Sequence, residues 1–208
     1  MEKHLQDQVL ALLRGALTGE EVSLSAPVDI PSICDVAWEH GVVGPAFYGM
    51  TAAGYTAAQL DPLYRMFAKN LWIEENQTEA LRRLYAAFDE NGIDYMPLKG
   101  AVLRALYPHP DMRAMGDADI LIRIEQYPQI QKVLTAQGFS SLQESDHELI
   151  WANRALHLEL HKRLIPSYHP GISAYFGDGW QRALQSPEKP NSFTLSDTDQ
   201  FLYLFAHF

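Results

Sequence analysis

The sequence predicts an α+β fold in which a small mixed β-sheet with flanking helices follows an N-terminal helical subdomain. Up to residue 90, apolar residues recur at helical spacing, whereas short apolar runs separated by turn residues follow Gly92. Near the end of this second part, apolar and polar residues alternate as they do in a half-buried strand. We therefore expect a helical subdomain at 1–90, a core at 91–165, and a loop with a C-terminal helix at 166–208.

The first 90 residues predict four helices and contain no candidate chemistry. Asp29 before Ile30-Pro31, and Asp61 before Pro62, are typical helix starts, while Asn91-Gly92 is a typical helix end. The polar stretch at 74–77 suggests a bend or an exposed turn in the last helix. The four predicted ranges are 4–17, 30–40, 44–54 and 61–90.

The core predicts strands and helices in alternation. Nearly continuous apolar character at 119–124 is typical of a strand covered on both faces. Ser196 three residues before Asp199 resembles a capping box, so a last helix should follow it. The other predicted elements are strands at 93–98, 140–151 and 155–162, and helices at 101–107, 127–136 and 178–184.

Composition and charge exclude several classes of protein. The 47% apolar and 20% charged residues are typical of a globular chain. With 16 basic and 26 acidic residues, the net charge of −10 disfavours non-specific nucleic-acid binding, which needs many lysine and arginine contacts. No apolar run approaches the roughly 20 residues that cross a bilayer, and the N-terminus does not read as a signal peptide. Because Cys34 is a single cysteine, no internal disulfide is possible; we expect a cytoplasmic protein with no membrane association.

Asp117 and Asp119 form the first candidate site. Residues at positions i and i+2 of a strand project from the same face, so both carboxylates can reach one point. Hard cations such as Mg²⁺ commonly bind one or two carboxylates together with substrate phosphates. The alternative is that Gly116-Asp117 is an ordinary turn that caps a strand.

Glu159 is the second candidate, because charged residues are uncommon in the middle of strands. It shares its strand face with His157 and His161. If this strand lies beside the strand that begins at Asp119, three carboxylates converge and repel one another unless a cation neutralises them. Two alternatives stay open: an edge strand with a wet polar face, and a transition-metal site made by His157, Glu159 and His161.

Lys99, Gly100 and Arg113 are candidates for binding phosphate. A glycine allows close approach of the backbone to a ligand, and a helix start offers free N–H groups. Lys99 adds a positive charge next to that glycine. Arg113 stands in the loop before the aspartates, within reach of a phosphate or of neighbouring carboxylates. An ordinary strand-to-helix turn with an exposed lysine is the alternative.

Together these motifs resemble the uncharacterised bacterial nucleotidyltransferase family of the DNA polymerase beta-like superfamily. The resemblance covers residues 80–165 well and the helical flanks more loosely. In that superfamily a Gly-Gly or Gly-Ser turn opens a helix, whereas Lys99-Gly100 stands there in this chain, as in a Lys-Gly subgroup. The separation between Gly100 and Asp117 is also longer than is common. The segments that carry the resemblance are Leu98-Lys99-Gly100, Arg113, Gly116 to Ile122 and Leu158-Glu159-Leu160-His161.

The resemblance implies a two-metal transfer of a nucleoside monophosphate from ATP or another nucleoside triphosphate to an acceptor hydroxyl. Asp117, Asp119 and Glu159 would be the catalytic residues and the ligands of two Mg²⁺ or Mn²⁺ ions. Lys99, Gly100 and Arg113 would bind phosphate, and His157 and His161 would assist. We expect the unidentified acceptor to be a protein, a small molecule or a sugar rather than a nucleic acid.

Two other functions fit the same residues. The fold is also compatible with a catalytically silent nucleotide- or protein-binding module, antitoxin-like in character. A metallohydrolase built on His157, Glu159 and His161 is a further alternative. The last helix is apolar on nearly every side, which predicts either a homo-oligomer or additional C-terminal helices that cover it.

Overall fold

The computed structural model describes residues 3–24, 28–166 and 170–207. Residues 167–169 of the predicted C-terminal loop, and Phe208 of the predicted last helix, lie outside the described residues. Contacts group the chain into two compact units, residues 1–76 with 103–115 and residues 77–102 with 116–208. The division expected at residues 90 and 165 stays a prediction. Among the described helices, none has the length and apolar character that a bilayer crossing requires.

The first unit is built from helices α1 to α3 and the first half of α4. Their bounds are α1 Lys3–Thr18, α2 Ile30–Glu39, α3 Val43–Ala52 and α4 Asp61–Glu90. Asp29 caps α2 as its position predicts, because its side chain accepts a hydrogen bond from the backbone N–H of Ser32. α1 and α3 pack closely, since a Cβ at Gly49 would overlap the backbone of Leu12.

Residues 74–77, for which the sequence suggests a bend or an exposed turn, contain no turn. α4 is one continuous helix of 30 residues. The polar stretch has a different cause, because Glu74 faces the buried guanidinium of Arg104, with 3.7 Å between Oε1 and Nη1. A buried arginine needs such a carboxylate to offset its lost hydration.

The second unit contains a five-stranded mixed sheet in the order β1-β2-β5-β4-β3. β2 and β5 run parallel, while the other neighbouring strands run antiparallel. This arrangement confirms the predicted α+β class with a mixed sheet. The strands are β1 Tyr95–Pro97, β2 Ala118–Ile122, β3 Ser140–Glu144, β4 Glu148–Ala152 and β5 His157–His161.

The helices of the second unit flank this sheet. α5 Lys99–Leu103 follows β1, and α6 Tyr127–Ala136 begins the crossover from β2, at the residues predicted for a helix. α7 Pro170–Phe176 and α8 Asp197–His207 come after the sheet. Ser196 caps α8 as predicted, because its hydroxyl accepts from the N–H of Asp199.

Two further sequence-based assignments differ from the structure. The single strand predicted at 140–151 is a hairpin, because the hydroxyl of Ser145 accepts from the N–H groups of His147 and Glu148 and turns the chain. The helix predicted at 178–184 is only a 3-10 turn at Trp180–Arg182, followed by a small hairpin of β6 Leu184–Gln185 and β7 Phe193–Thr194.

Candidate functional site

The strand register places two of the predicted carboxylates side by side. Asp119 on β2 is the direct partner of Glu159 on the parallel strand β5. Asp117 immediately precedes β2, and its negative charge acts on Glu159. Asp119 and Glu159 therefore converge in the second unit, as expected from the sequence, whereas Asp117, among the described residues, belongs to no group of three metal-ligating atoms within 4.8 Å of one another.

Asp119 is the most enclosed member of this group, with only 3% of its side chain exposed. Its Oδ1 accepts from Lys99 Nζ at 2.6 Å and lies 2.8 Å from His161 Nε2. Burial by itself raises the pKa of Asp119, but the hydrogen bonds from His161 and Lys99 outweigh it and lower the pKa to about 2. Asp119 is therefore a carboxylate at any physiological pH.

Glu159 shows the opposite behaviour. Burial, together with the negative charges of Asp117, Asp119 and Glu148, raises its pKa to about 7, against the opposing effect of Lys99. The difference from Asp119 follows from position, because Asp119 has two close donors while His161 Nε2 is 3.9 Å from Glu159 Oε2. The negative charges of this cluster of carboxylates therefore exceed the positive charge that Lys99 supplies.

Lys99 reaches Asp119 because the backbone turns sharply after β1. The N–H of Leu98 donates to the carbonyl of Asp119 at 2.9 Å and so fixes the end of β1 against β2. Lys99 then takes a φ of 39°, in the left-handed region that a non-glycine residue rarely adopts. Gly100 is buried in the first turn of α5.

The remaining predicted residues do not join the cluster equally. Ligand atoms of Asp119, Glu159 and His161 lie within 4.8 Å of one another, so His161 is part of the site. Within the described ranges, His157 belongs to no such group of metal-ligating atoms. Arg113 belongs to the first compact unit, where its carbonyl accepts from Arg104 Nε, and a phosphate-binding role for its side chain stays a prediction.

The sequence did not predict three residues that lie near the site. His147 and Glu148 lie at the hairpin turn and on β4, where a single longer strand was expected. The Ser145-Asp146 pair was the available signal for that turn. Tyr203 of α8 is fully buried, and after burial the charges of Asp119 and Glu159 are the causes that raise its pKa above the usual range. No pattern in the sequence indicated that α8 would bring Tyr203 near these two carboxylates.

Replacing Glu159 with glutamine tests the charge imbalance. In the folded protein the pKa of Glu159 is above its ordinary value of 4.5, so folding favours the protonated form and stability falls as pH rises through about 7. Without divalent cations at pH 8, we expect Glu159→Gln to raise the free energy of unfolding by about 3 kcal/mol. At pH 4.5 the difference between the two proteins should fall below about 0.5 kcal/mol.

Denaturant unfolding at both pH values measures this difference. The exposed Glu125 provides a matched control, because Glu125→Gln makes the same chemical change away from the cluster. A Glu159→Gln protein that is less stable than wild type at pH 8 would contradict the proposed repulsion.

Replacing Lys99 with methionine removes the cation from Asp119. The buried carboxylate keeps only the histidine as a close partner, so we expect the free energy of unfolding to fall by about 3 kcal/mol. Mg²⁺ should recover part of this loss. Lys132→Met, at an exposed position on α6, should change stability by less than about 0.5 kcal/mol. Equal losses in both variants would show that the Lys99 pair has no stabilising effect.

Comparisons with known proteins agree with the family resemblance. The sequence matches the uncharacterised nucleotidyltransferase family over residues 26–208. It has no significant match among proteins whose functions have been curated. Two solved structures of the antibiotic-resistance factor ANT(2'')-Ia show partial similarity, each at 17% identity.

These structural matches cover only part of each chain. The solution structure of ANT(2'')-Ia matches 42% of this chain and 47% of that enzyme with a TM-score of 0.39. Its crystal structure with adenylyl-2''-tobramycin matches 40% and 49%, with a TM-score of 0.36. The matched part thus spans about half the length of those proteins. The family match extends over most of the sequence, and the chain belongs to the uncharacterised nucleotidyltransferase family.

Proposed function

We propose that the protein transfers a nucleoside monophosphate from a nucleoside triphosphate to an acceptor hydroxyl. The observation that carries the proposal is the parallel pairing of β2 and β5, which places Asp119 next to Glu159 with Asp117 in electrostatic reach. Family membership supports nucleotidyl transfer as the general reaction.

The carboxylates fit divalent cations. Burial, followed by the negative charges of its neighbours, raises the pKa of Glu159, and a bound cation would relieve the repulsion between these charges. Oxygen ligands of this kind suit Mg²⁺ or Mn²⁺. Asp117, Asp119 and Glu159 are the proposed ligands of two ions. When bound, such ions neutralise phosphate charge and lower the pKa of the acceptor hydroxyl.

The residues of the β1–α5 turn are proposed to bind the triphosphate. Lys99 has its ammonium group on Asp119, the carboxylate that the cations would also use. We propose that Lys99, with the backbone of Gly100 beside it, would bind the phosphates when cations held by the carboxylates offset the charge of Asp119. Lys99 thereby compensates charge on the carboxylate first and on the nucleotide afterwards.

The chemical step then follows from these positions. The acceptor hydroxyl attacks the α-phosphorus in line, the bond to pyrophosphate breaks, and pyrophosphate leaves. Glu159 is proposed to take the proton of the hydroxyl, in addition to its role as third carboxylate ligand. The net charge of −10 favours a small molecule, a sugar or a protein as acceptor over a nucleic acid.

A thermal-shift titration tests this proposal. ATP, GTP, CTP and UTP are each added with and without Mg²⁺, and pyrophosphate release is measured in parallel. A ligand at 100 times its Kd stabilises the folded state by about 2.7 kcal/mol. For a chain of this size, that corresponds to a rise in Tm of about 5–10 °C. We expect a Mg²⁺-dependent rise with at least one nucleotide.

The double variant Asp117→Asn/Asp119→Asn should abolish the rise. Asp35→Asn/Glu39→Gln makes the same change in net charge at exposed positions of α2 and should leave the rise unchanged. The absence of any shift in folded wild-type protein would contradict the proposal. Nucleotide binding without pyrophosphate release, across a panel of acceptors, would favour the silent binding module.

A further inference from the structure

We propose a second metal site, for a transition ion such as Zn²⁺, formed by His147, Glu148 and His161. One ligand atom from each residue lies within 4.8 Å of the other two. This group shares only His161 with the group of Asp119, Glu159 and His161. It offers two imidazoles and one carboxylate, whereas the other group offers two carboxylates and one imidazole. The proposal does not depend on nucleotidyl transfer.

The hairpin between β3 and β4 brings the three residues together. Glu148 at the start of β4 is the direct antiparallel partner of His161 on β5. The hydroxyl of Ser145 accepts from the backbone N–H of His147 and of Glu148 and so fixes the turn. The His147 ring lies against the His161 ring, with 5.2 Å between their centroids.

The distance between the two imidazoles fits tetrahedral coordination. His147 Nε2 and His161 Nδ1 are 3.3 Å apart. Zinc binds imidazole nitrogen at about 2.0–2.1 Å, so two such ligands on a tetrahedral ion are separated by about 3.3–3.4 Å. An ion therefore fits between the two nitrogens with little movement of either ring.

Asp119 sets the tautomer that a metal requires. His161 Nε2 lies 2.8 Å from the Asp119 carboxylate, so this nitrogen carries the proton and donates it. In the neutral ring, Nδ1 then carries a lone pair and no proton, and Nδ1 is the nitrogen that faces His147. A histidine that ligates metal through one nitrogen and donates to a carboxylate through the other is the usual arrangement in zinc sites.

The ligand set distinguishes this site from the carboxylate site. Two imidazoles and one carboxylate favour Zn²⁺, Co²⁺ or Ni²⁺, whereas oxygen ligands alone favour Mg²⁺. His147 and Glu148 are half-exposed, so an ion can enter from their side although His161 is buried. Three protein ligands leave a fourth position for water or a substrate atom. The bound ion ties the β3–β4 turn to β5 and holds the His161 proton toward Asp119.

Cobalt provides a direct test, because four-coordinate Co²⁺ absorbs strongly in visible light while octahedral Co²⁺ absorbs weakly. Co²⁺ is titrated into the full chain in the presence of excess Mg²⁺ and without nucleotide, and Zn²⁺ is then added as a competitor. We expect one equivalent of tightly bound Co²⁺ with an intense visible band, which Zn²⁺ removes.

His147→Gln and Glu148→Gln should each weaken Co²⁺ binding at least tenfold. His157→Gln is the matched control, because His157 lies on the same strand as His161 but outside the group. Circular dichroism of each metal-free variant establishes that it is folded. Absence of the band in wild type, or unchanged binding in folded His147→Gln protein, would overturn the proposal. Loss of binding in His157→Gln alone would also overturn it, by assigning the ion to His157, Glu159 and His161.

Discussion

The parallel strands β2 and β5 place the carboxylates of Asp119 and Glu159 next to each other in a poorly solvated position. The neighbouring side chains have to compensate the negative charge that results. In the deep position, Lys99 neutralises Asp119 through a short ionic hydrogen bond, and His161 donates a second hydrogen bond to it. At the more open position, Glu159 has no comparable partner and its pKa rises instead. The same protein thus uses both responses that electrostatics allows, pairing and protonation. A site with this imbalance is prepared to receive cations.

The rest of the second unit holds these strands in register. The crossover between β2 and β5 contains α6 and the β3–β4 hairpin, which lets the two strands run parallel. On the other side, the guanidinium of Arg123 lies over the ring of Trp180 at 4.1 Å and pairs with Asp94 at 2.6 Å. This contact ties the segment after α7 to the end of β2. The C-terminal residues therefore help to hold the strands of the site in place. Tyr203 also lies close enough to Asp119 and Glu159 for their charges to raise its pKa, after the effect of burial.

Local sequence signals predicted much of this arrangement, because they report geometry that the backbone enforces. The alternation around Glu159 identifies one face of β5, whereas Asp117, expected on the same strand face as Asp119, lies just before β2, which begins at Ala118. The helix start at Asp61-Pro62 and the helix end at Asn91-Gly92 likewise predicted α4, which spans Asp61–Glu90. The sequence did not predict that β2 pairs with β5, because the residue pattern of one strand does not show which other strand lies beside it.

What the sequence did not predict depends on turns and on distant packing. The hairpin at Ser145 was hidden because the strands on both sides of it read as one extended segment, and so His147 and Glu148 were missed. Lys99 was expected to bind phosphate, but its left-handed conformation and its pairing with Asp119 arise only in the folded chain. The sequence did not show which face of α8 is buried, because apolar residues occur on all sides of this helix. In the structure Tyr203 is buried, while Phe201 and Phe205 are exposed.

In the proposed function, the carboxylates of β2 and β5 form a cation site that a nucleotide completes. Electron paramagnetic resonance of Mn²⁺ measures this directly, because free and bound Mn²⁺ give different signal intensities. The titration is done with a triphosphate analogue that cannot be cleaved between its α- and β-phosphates, on wild type and on Asp119→Asn. We expect two tightly bound Mn²⁺ ions per chain when the analogue is present, and loss of both in the variant. Equal Mn²⁺ binding in the two proteins would contradict the proposed function.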